Sequence, residues 1–236
     1  MGPDPTVATV GKMTGKISEI FESIQGEGIY WGSKQIFVRF SGCNLRCSYC
    51  DTLIETFSEY AIEELIGRIK SFGRNFHSVS FTGGEPLFQK DFLSEALKMT
   101  KQEGYKTYLE TNGTLPNELK QAIDNVDIVA MDIKLPSSTG SSPPYWNEHR
   151  DFLKTASKRR VFVKAVISLS TTKDDIFKMA ELLKNLQYEG VMVLQPNSFD
   201  NALLLKEKLG EFKKTCEKYV ADVRVIPQMH RLIGVK

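Results

Sequence analysis

From Gln35 onward, continuous apolar runs alternate with segments whose apolar positions recur every three or four residues. The first pattern suits strands buried on both faces, and the second suits helices laid over them. QIFVRFSG (35–42) predicts a strand that is apolar on both faces apart from Arg39. Ile62, Leu65, Ile66 and Ile69 predict a helix stopped by Gly73. SVSFT (78–82) predicts a strand, 92–103 a helix closed by Gly104, YKTYLE (105–110) a third strand, and 117–123 a weak helix. DIVAMDI (127–133), RVFVKAVIS (160–168), GVMVLQP (190–196) and DVRVIPQ (222–228) continue the strands. Thr172 with Asp175 resembles a capping box ahead of a helix to Leu186, and a further helix is expected over about 201–219. Residues 136–146, almost wholly Ser, Gly and Pro at their start, read as a loop.

Such alternation predicts an α/β chain with a parallel sheet and right-handed crossovers. Polar residues gather where the strands end: Thr82-Gly83-Gly84-Glu85, Glu110-Thr111-Asn112, Asp132 with Lys134, and Gln195 with Asn197. A barrel builds its site all along that rim, whereas a doubly wound sheet concentrates it at one switch point. The expectation is therefore an incomplete, TIM-like barrel of about six parallel strands with outer helices. Residues 1–16 have no periodicity and read as a disordered tail or extension, leaving 17–236 as a single domain.

Composition changes this picture little. A net charge of +2 over 236 residues gives no reason to expect a nucleic-acid partner. The short basic run Lys158-Arg159-Arg160 reads as a solvated strand entrance. No segment approaches the ~18 apolar residues of a membrane span, and the opening residues do not read as a secretory signal. Four cysteines, three of them in the short stretch SGCNLRCSYCDT, suit a metal in a reducing compartment, the cytoplasm, better than a disulfide framework.

Cys43, Cys47 and Cys50 follow the first expected strand in a C-x3-C-x2-C spacing. A closed zinc site needs four ligands, but Cys216 lies in a late helix, and His77, His149 and His230 are scattered. Three thiolates in one loop suit three corners of an iron–sulfur cubane, with the fourth iron left for a small molecule. On spacing alone, a zinc site completed from a distance and buried free thiols both stay open.

That spacing after the first strand, with TGGEP (82–86) after the next, resembles the radical S-adenosylmethionine (SAM) superfamily. SIQGEG (23–28), FVRFSGCN, CDT, ETNGT (110–114) and QP (195–196) narrow the resemblance to the 7-carboxy-7-deazaguanine synthase family, across 17–236. The resemblance implies a 4Fe-4S cluster, SAM, Mg²⁺, an external one-electron reductant and a homodimer. It also implies conversion of 6-carboxy-5,6,7,8-tetrahydropterin to 7-carboxy-7-deazaguanine, a step towards queuosine and archaeosine. Reduction of the cluster would cleave SAM. The resulting 5′-deoxyadenosyl radical would take hydrogen from carbon 6 of the pterin, and ring contraction with loss of ammonia would follow.

By the same resemblance, Cys43, Cys47 and Cys50 hold the cluster and Thr52 meets Mg²⁺; read alone, Thr52 is a turn cap. Tyr49, Cys50 and Asp51 lie along adenine, Gly84 and Glu85 meet the methionine part of SAM, and Glu110 suits the ribose hydroxyls. Gln195, Pro196, Asn197 and Ser198 line the adenosine. Ile24, Gln25, Gly26 and Thr82 contact the pterin, and the Lys236 α-carboxylate reaches it from the tail. Arg39 takes the substrate carboxylate, or else an internal salt bridge to Glu22 or Glu27. Some relatives carry Ser-Pro-Lys where this chain has Asp132-Ile133-Lys134. That leaves Lys134 for the SAM carboxylate but puts the serine's contact in doubt. An activase of glycyl-radical enzymes and a non-catalytic zinc module are the alternatives.

Overall fold

The computed structural model describes residues 13–50 and 56–234. Its first strand, β1 (Thr14–Ile24), pairs antiparallel with β2 (Lys34–Phe40) and with the short β3 (Ser58–Ala61). Thr14, Gly15 and Lys16, expected in the tail, therefore belong to the sheet, opposite Ala61, Tyr60 and Glu59. They are held from afar. The Gln89 side chain accepts from the Lys16 N–H (2.7 Å) and donates to its carbonyl (3.0 Å), and a side chain on Gly15 would sit 2.2 Å from the Phe92 ring.

The remaining elements follow the predicted alternation. Helix α1 (Ile62–Lys70) buries the four expected apolar residues, and Glu64 accepts from the Ala61 N–H at its start (2.9 Å). Next come β4 (Ser78–Gly83), α2 (Lys90–Gln102), β5 (Thr107–Thr111), α3 (Pro116–Ala122) and β6 (Ile128–Asp132). The stretch expected as loop contains a helical turn, α4 (Pro136–Thr139), and runs into α5 (Trp146–Ala156). Then follow β7 (Arg160–Ile167), α6 (Lys173–Asn185), β8 (Val191–Pro196), α7 (Ala202–Cys216), β9 (Asp222–Val225) and α8 (Met229–Ile233). The capping box at α6 is only half formed. Thr172 accepts from the Asp175 N–H (3.2 Å), but the Asp175 carboxylate turns away to the N–H of Ser137 (2.8 Å), which anchors α4.

The strands make one nine-stranded sheet in the order β3-β1-β2-β4-β5-β6-β7-β8-β9. From β2 through β9 the neighbours are parallel and sequential, with no reversal of order. The sheet is thus an unclosed barrel, with β3 and β9 at its edges, and not a doubly wound sheet.

Alternation along each strand sorts its residues. Leu109, Val129, Met131, Val163, Ala165, Met192 and Leu194 join the large cluster packed under the helices. Tyr108, Ile128, Ala130, Phe162 and Val193 form a separate inner cluster. Continuing that inward register towards the strand ends gives Glu110, Asp132, Lys164 and Gln195, so the barrel interior is apolar below and polar above. Residues 25–30, the first part of the link from β1 to β2, fit into the interior, while Trp31 and Gly32 face outward. Gly28, at a φ of +62°, lies so close to Phe162 that a Cβ would be 2.4 Å from its ring. Tyr30 packs its ring against Tyr108 and Phe162.

Candidate active site

At the polar end of the barrel lies a cleft of about 660 Å³. Cys43, Cys47 and Cys50 line one wall, with Tyr49, Gly84, Asp132, Lys134, Gln195, Pro196, Asn197 and Ser198. Ile24, Gln25, Gly26, Arg39, Thr82 and Glu110 line the same cleft. Asp51, Thr52 and Lys236 lie outside the described residues. Two expected residues do not line the cleft: Glu85 and Ile133 are both fully buried.

The cysteine loop leaves β2 through Gly42, whose φ is +86°. None of the three is in a disulfide; Cys43 and Cys50 are exposed and Cys47 is half-buried. Among the described residues, no three His, Cys, Asp or Glu side chains are drawn together as a closed ion site. The loop is held by the stretch after β5. Asn112 donates to Asn44 (2.9 Å) and faces the Cys43 sulfur (3.9 Å), Asn44 donates to Thr114 (2.8 Å), and the Leu45 N–H points at the same sulfur (3.4 Å). On its far side Ser48 donates to the carbonyls of Thr139 (2.9 Å) and Ser138 (2.8 Å).

The glycine pair after β4 has a structural reason. A Cβ on Gly83 would lie 2.3 Å from the Phe40 carbonyl, and one on Gly84 would lie 2.0 Å from that of Gly42. Both glycines let β4 pass directly beneath the cysteine loop, where the Glu85 N–H donates to Gly42 (2.9 Å). The Glu85 carboxyl turns inward, away from the expected SAM contact. It accepts from the Leu87 N–H (3.1 Å), the Thr111 hydroxyl (2.9 Å) and the Asn112 N–H (2.7 Å). Burial pushes its pKa up to about 7 against those hydrogen bonds. Glu85 therefore supports the loop that supports the cysteines.

Glu110 accepts from Gln25 (2.7 Å), Ser80 (3.0 Å) and Thr82 (2.9 Å), so residues expected on the two sides of the reaction share one network. Arg39 pairs with Glu19 on β1 (3.6 Å) and lies over the Phe21 ring; the expected partners are engaged elsewhere, Glu22 with Lys34 and Glu27 with Lys164. The sequence reading missed Glu27, Lys164, Gln228 and His230, all of which line the cleft. Burial works to raise the pKa of Glu27, but Lys164, with Gln228 and His230, draws it down to about 2. Burial alone would lower the Lys164 ammonium, yet Glu27 and Asp132 hold it above the usual lysine range. Gln228 donates to Glu27 (2.7 Å) and the Met229 N–H to the Gly26 carbonyl (2.8 Å). The C-terminal segment thus straps across the cleft onto the loop after β1.

Among the described residues, four buried polar atoms around the cleft have no hydrogen-bond partner: the Arg39 Nε donor, and three oxygens that can accept, Tyr49 Oη, Asp132 Oδ1 and Gln195 Oε1. Leaving such a group unsatisfied costs about 1–3 kcal/mol, so the cleft is built to receive donors from a ligand. The ammonium and hydroxyls of SAM are donors of that kind, and the three cysteine sulfurs in the same cleft suit a thiolate-held cluster. The residues therefore fit both groups.

Two buried groups near the cysteine loop oppose each other in pH. Glu85 titrates at about 7 folded against an ordinary 4.5, so its contribution to stability is full below pH 4.5 and lost as pH rises through 7. Burial lowers His149 from 6.5 to about 4, so its contribution is full above pH 6.5 and lost as pH falls through 4. Across the shared window the two nearly cancel. In His149→Gln, whose amide oxygen can still accept from the Lys134 N–H, urea unfolding of the apoprotein is expected to show stability falling by about 3 kcal/mol from pH 4.5 to 7. An unchanged pH dependence would refute this.

Comparison with known proteins agrees with the geometry. The profile of the Radical SAM superfamily matches residues 37–183. The chain is 36% identical to the 7-carboxy-7-deazaguanine synthase of Geobacter sulfurreducens, over 95% of this chain and 99% of that one. It is 35% identical to the enzyme of that name from Archaeoglobus fulgidus, over 95% and 100%. The crystal structure of QueE from Escherichia coli shares the fold, with a TM-score of 0.66 at 24% identity over 93% of this chain and 96% of that one. A cysteine loop seated on a glycine pair, at the polar rim of an unclosed barrel, with matches of this extent, makes the chain a member of the radical SAM superfamily and, within it, of the 7-carboxy-7-deazaguanine synthase family.

Proposed function

We propose that this chain is a radical SAM lyase that converts 6-carboxy-5,6,7,8-tetrahydropterin to 7-carboxy-7-deazaguanine with loss of ammonia. The observation that carries the reading is one cleft lined both by the cysteine loop and by Gln25, Gly26, Arg39 and Thr82. When bound, the 4Fe-4S cluster with SAM supplies reductive cleavage and hydrogen-atom abstraction.

Cys43, Cys47 and Cys50 hold the cluster. Asp132, Lys134 and Gln195 line the SAM side, where Asp132 and Gln195 offer free acceptors and Lys134 a cation for the carboxylate. Tyr49 and Asp51 flank the adenine, with Pro196, Asn197 and Ser198 beyond them. Glu110 orients Gln25 and Thr82 towards the pterin. Arg39, paired only loosely with Glu19 (3.6 Å), has capacity for the substrate carboxylate. The strap over residues 228–230 closes onto the loop after β1 six residues before Lys236, whose α-carboxylate is assigned to the pterin. Thr52 follows the cysteine loop directly and is assigned to Mg²⁺, which prefers oxygen ligands and keeps several waters. The same reading carries an external one-electron reductant, a homodimer and the reducing cytoplasm that keeps thiols free.

The test is anaerobic incubation of the reconstituted protein with SAM, reductant and the pterin, with and without Mg²⁺, read by mass spectrometry. The deazaguanine acid is expected, with turnover falling when Mg²⁺ is withheld. Reductive SAM cleavage with no such product would overturn the substrate assignment, and stoichiometric zinc in place of iron and sulfide would overturn the enzyme.

A further inference from the structure

Lys164 stands on the inward register of β7, between Phe162 below and Val166 above. Its ammonium contacts the Glu27 carboxylate, which the loop after β1 carries into the barrel, and lies 3.6 Å from Asp132 on the neighbouring strand. Asp132 in turn takes the Lys134 ammonium at 2.9 Å. Four charges of alternating sign therefore cross the cleft in a row, Glu27, Lys164, Asp132 and Lys134, with side chains only 11–20% exposed. Removing Lys164, the inner cation of the row, leaves Asp132 to Lys134 and strips the buried Glu27 carboxylate of its ion pair. The row also has direction. Glu27 belongs to the loop that carries Gln25 and Gly26, while Lys134 lies over the Tyr49 ring beside the cysteines (5.5 Å).

We propose that Lys164 is a positioning residue that ties the pterin side of the cleft to the cofactor side, by fixing Glu27 where it faces the pterin. The proposal rests on the pterin reading above. Each Glu27 oxygen already has one donor, Oε2 from Lys164 and Oε1 from Gln228. A carboxylate oxygen accepts two, so Glu27 keeps capacity for the ring N–H and amine donors of a pterin. Without Lys164, the groups that still face Glu27 are the His230 imidazole, from α8, and the Tyr108 hydroxyl, from β5. Glu27 would then turn away from the substrate or take up a proton. Either change removes an acceptor from the pterin and leaves the cysteine loop in place.

The test uses the reconstituted enzyme and the variants Lys164→Met, Lys164→Arg, Glu27→Gln and Lys164→Met/Glu27→Gln. Lys164→Met is expected to raise KM for the pterin about tenfold or more, and calorimetry should show the same loss of pterin affinity. Iron content should be retained, and SAM affinity should change by less than about threefold. Lys164→Arg should recover most of the loss, and the double variant should be no worse than the poorer single one, because the two residues act as a pair. Pterin affinity unchanged in Lys164→Met, a loss confined to SAM, no recovery by arginine, or multiplying effects in the double variant would each overturn the proposal. If the wild-type chain does not take the pterin, the functional reading fails separately. A thermal-unfolding cycle over the same variants then tests the pair alone, and additive effects overturn it.

Discussion

Replacing Cys43, Cys47 or Cys50 with alanine is expected to abolish iron incorporation and SAM cleavage while the chain stays folded. Replacing Cys216 should leave both intact. The three loop cysteines contribute little to packing, since two are exposed and the third is half-buried. The loop is held instead by Asn112, Asn44 and Ser48. Cys216 is the opposite case. It is fully buried in α7 among core residues, and burial pushes its thiol up to about 12. It behaves as a small hydrophobe, and truncation should cost about 1 kcal/mol of stability and no iron. Iron and sulfide analysis with circular dichroism on all four variants decides the matter. Iron lost from the Cys216 variant, or retained in a loop variant, would contradict the three-ligand assignment.

A single added methyl on Gly84 is expected to be nearly as damaging. Its Cβ would lie 2.0 Å from the Gly42 oxygen, 2.6 Å from the Gly42 carbonyl carbon and 3.2 Å from the Cys43 Cβ. Two of those three atoms are backbone, so no rotamer change relieves the clash. Either the cysteine loop lifts from β4 or the end of β4 drops, and the hydrogen bond from the Glu85 N–H to Gly42 is lost in both cases. Gly84→Ala should therefore lower iron incorporation and cut the rate of product formation about a hundredfold, since misplacement of about 1 Å near the reacting groups has rate effects of that size. Gly67→Ala is the control. That glycine is exposed in α1 with nothing within 4 Å of a new Cβ, and the change should stabilise the chain by about 1 kcal/mol. Normal iron content in Gly84→Ala would show that the loop tolerates displacement.

The sequence made the parallel strands legible because most are short, largely apolar runs, and the helices legible because their apolar spacing is regular. β1 was hidden. It is an edge-side strand carrying Lys16, Glu19 and Glu22, and its order depends on β2, β3 and Gln89, none of them local. In the site, the cysteines and the glycine pair were readable from spacing, and so were most of the polar strand ends. The inward turn of Glu85 was not legible, because its partners Thr111 and Asn112 come from the next strand and the stretch after it. Lys164 did leave a signal, as a lone cation inside RVFVKAVIS. Its partner Glu27 lies 137 positions earlier, and no local pattern relates the two.

The strap across the cleft also orders events during synthesis. Glu27 and Gln228 are 201 positions apart, and the Gly26 carbonyl waits for the Met229 N–H. Contacts of such long range form late because a large loop must close first. A chain still emerging from the ribosome can lay down its earlier strands and seat its cysteine loop, yet its cleft stays incomplete until Gln228 and Met229 are out. Capacity for radical chemistry would then wait for those two residues, and a product truncated before them would carry the cysteines without the enclosure.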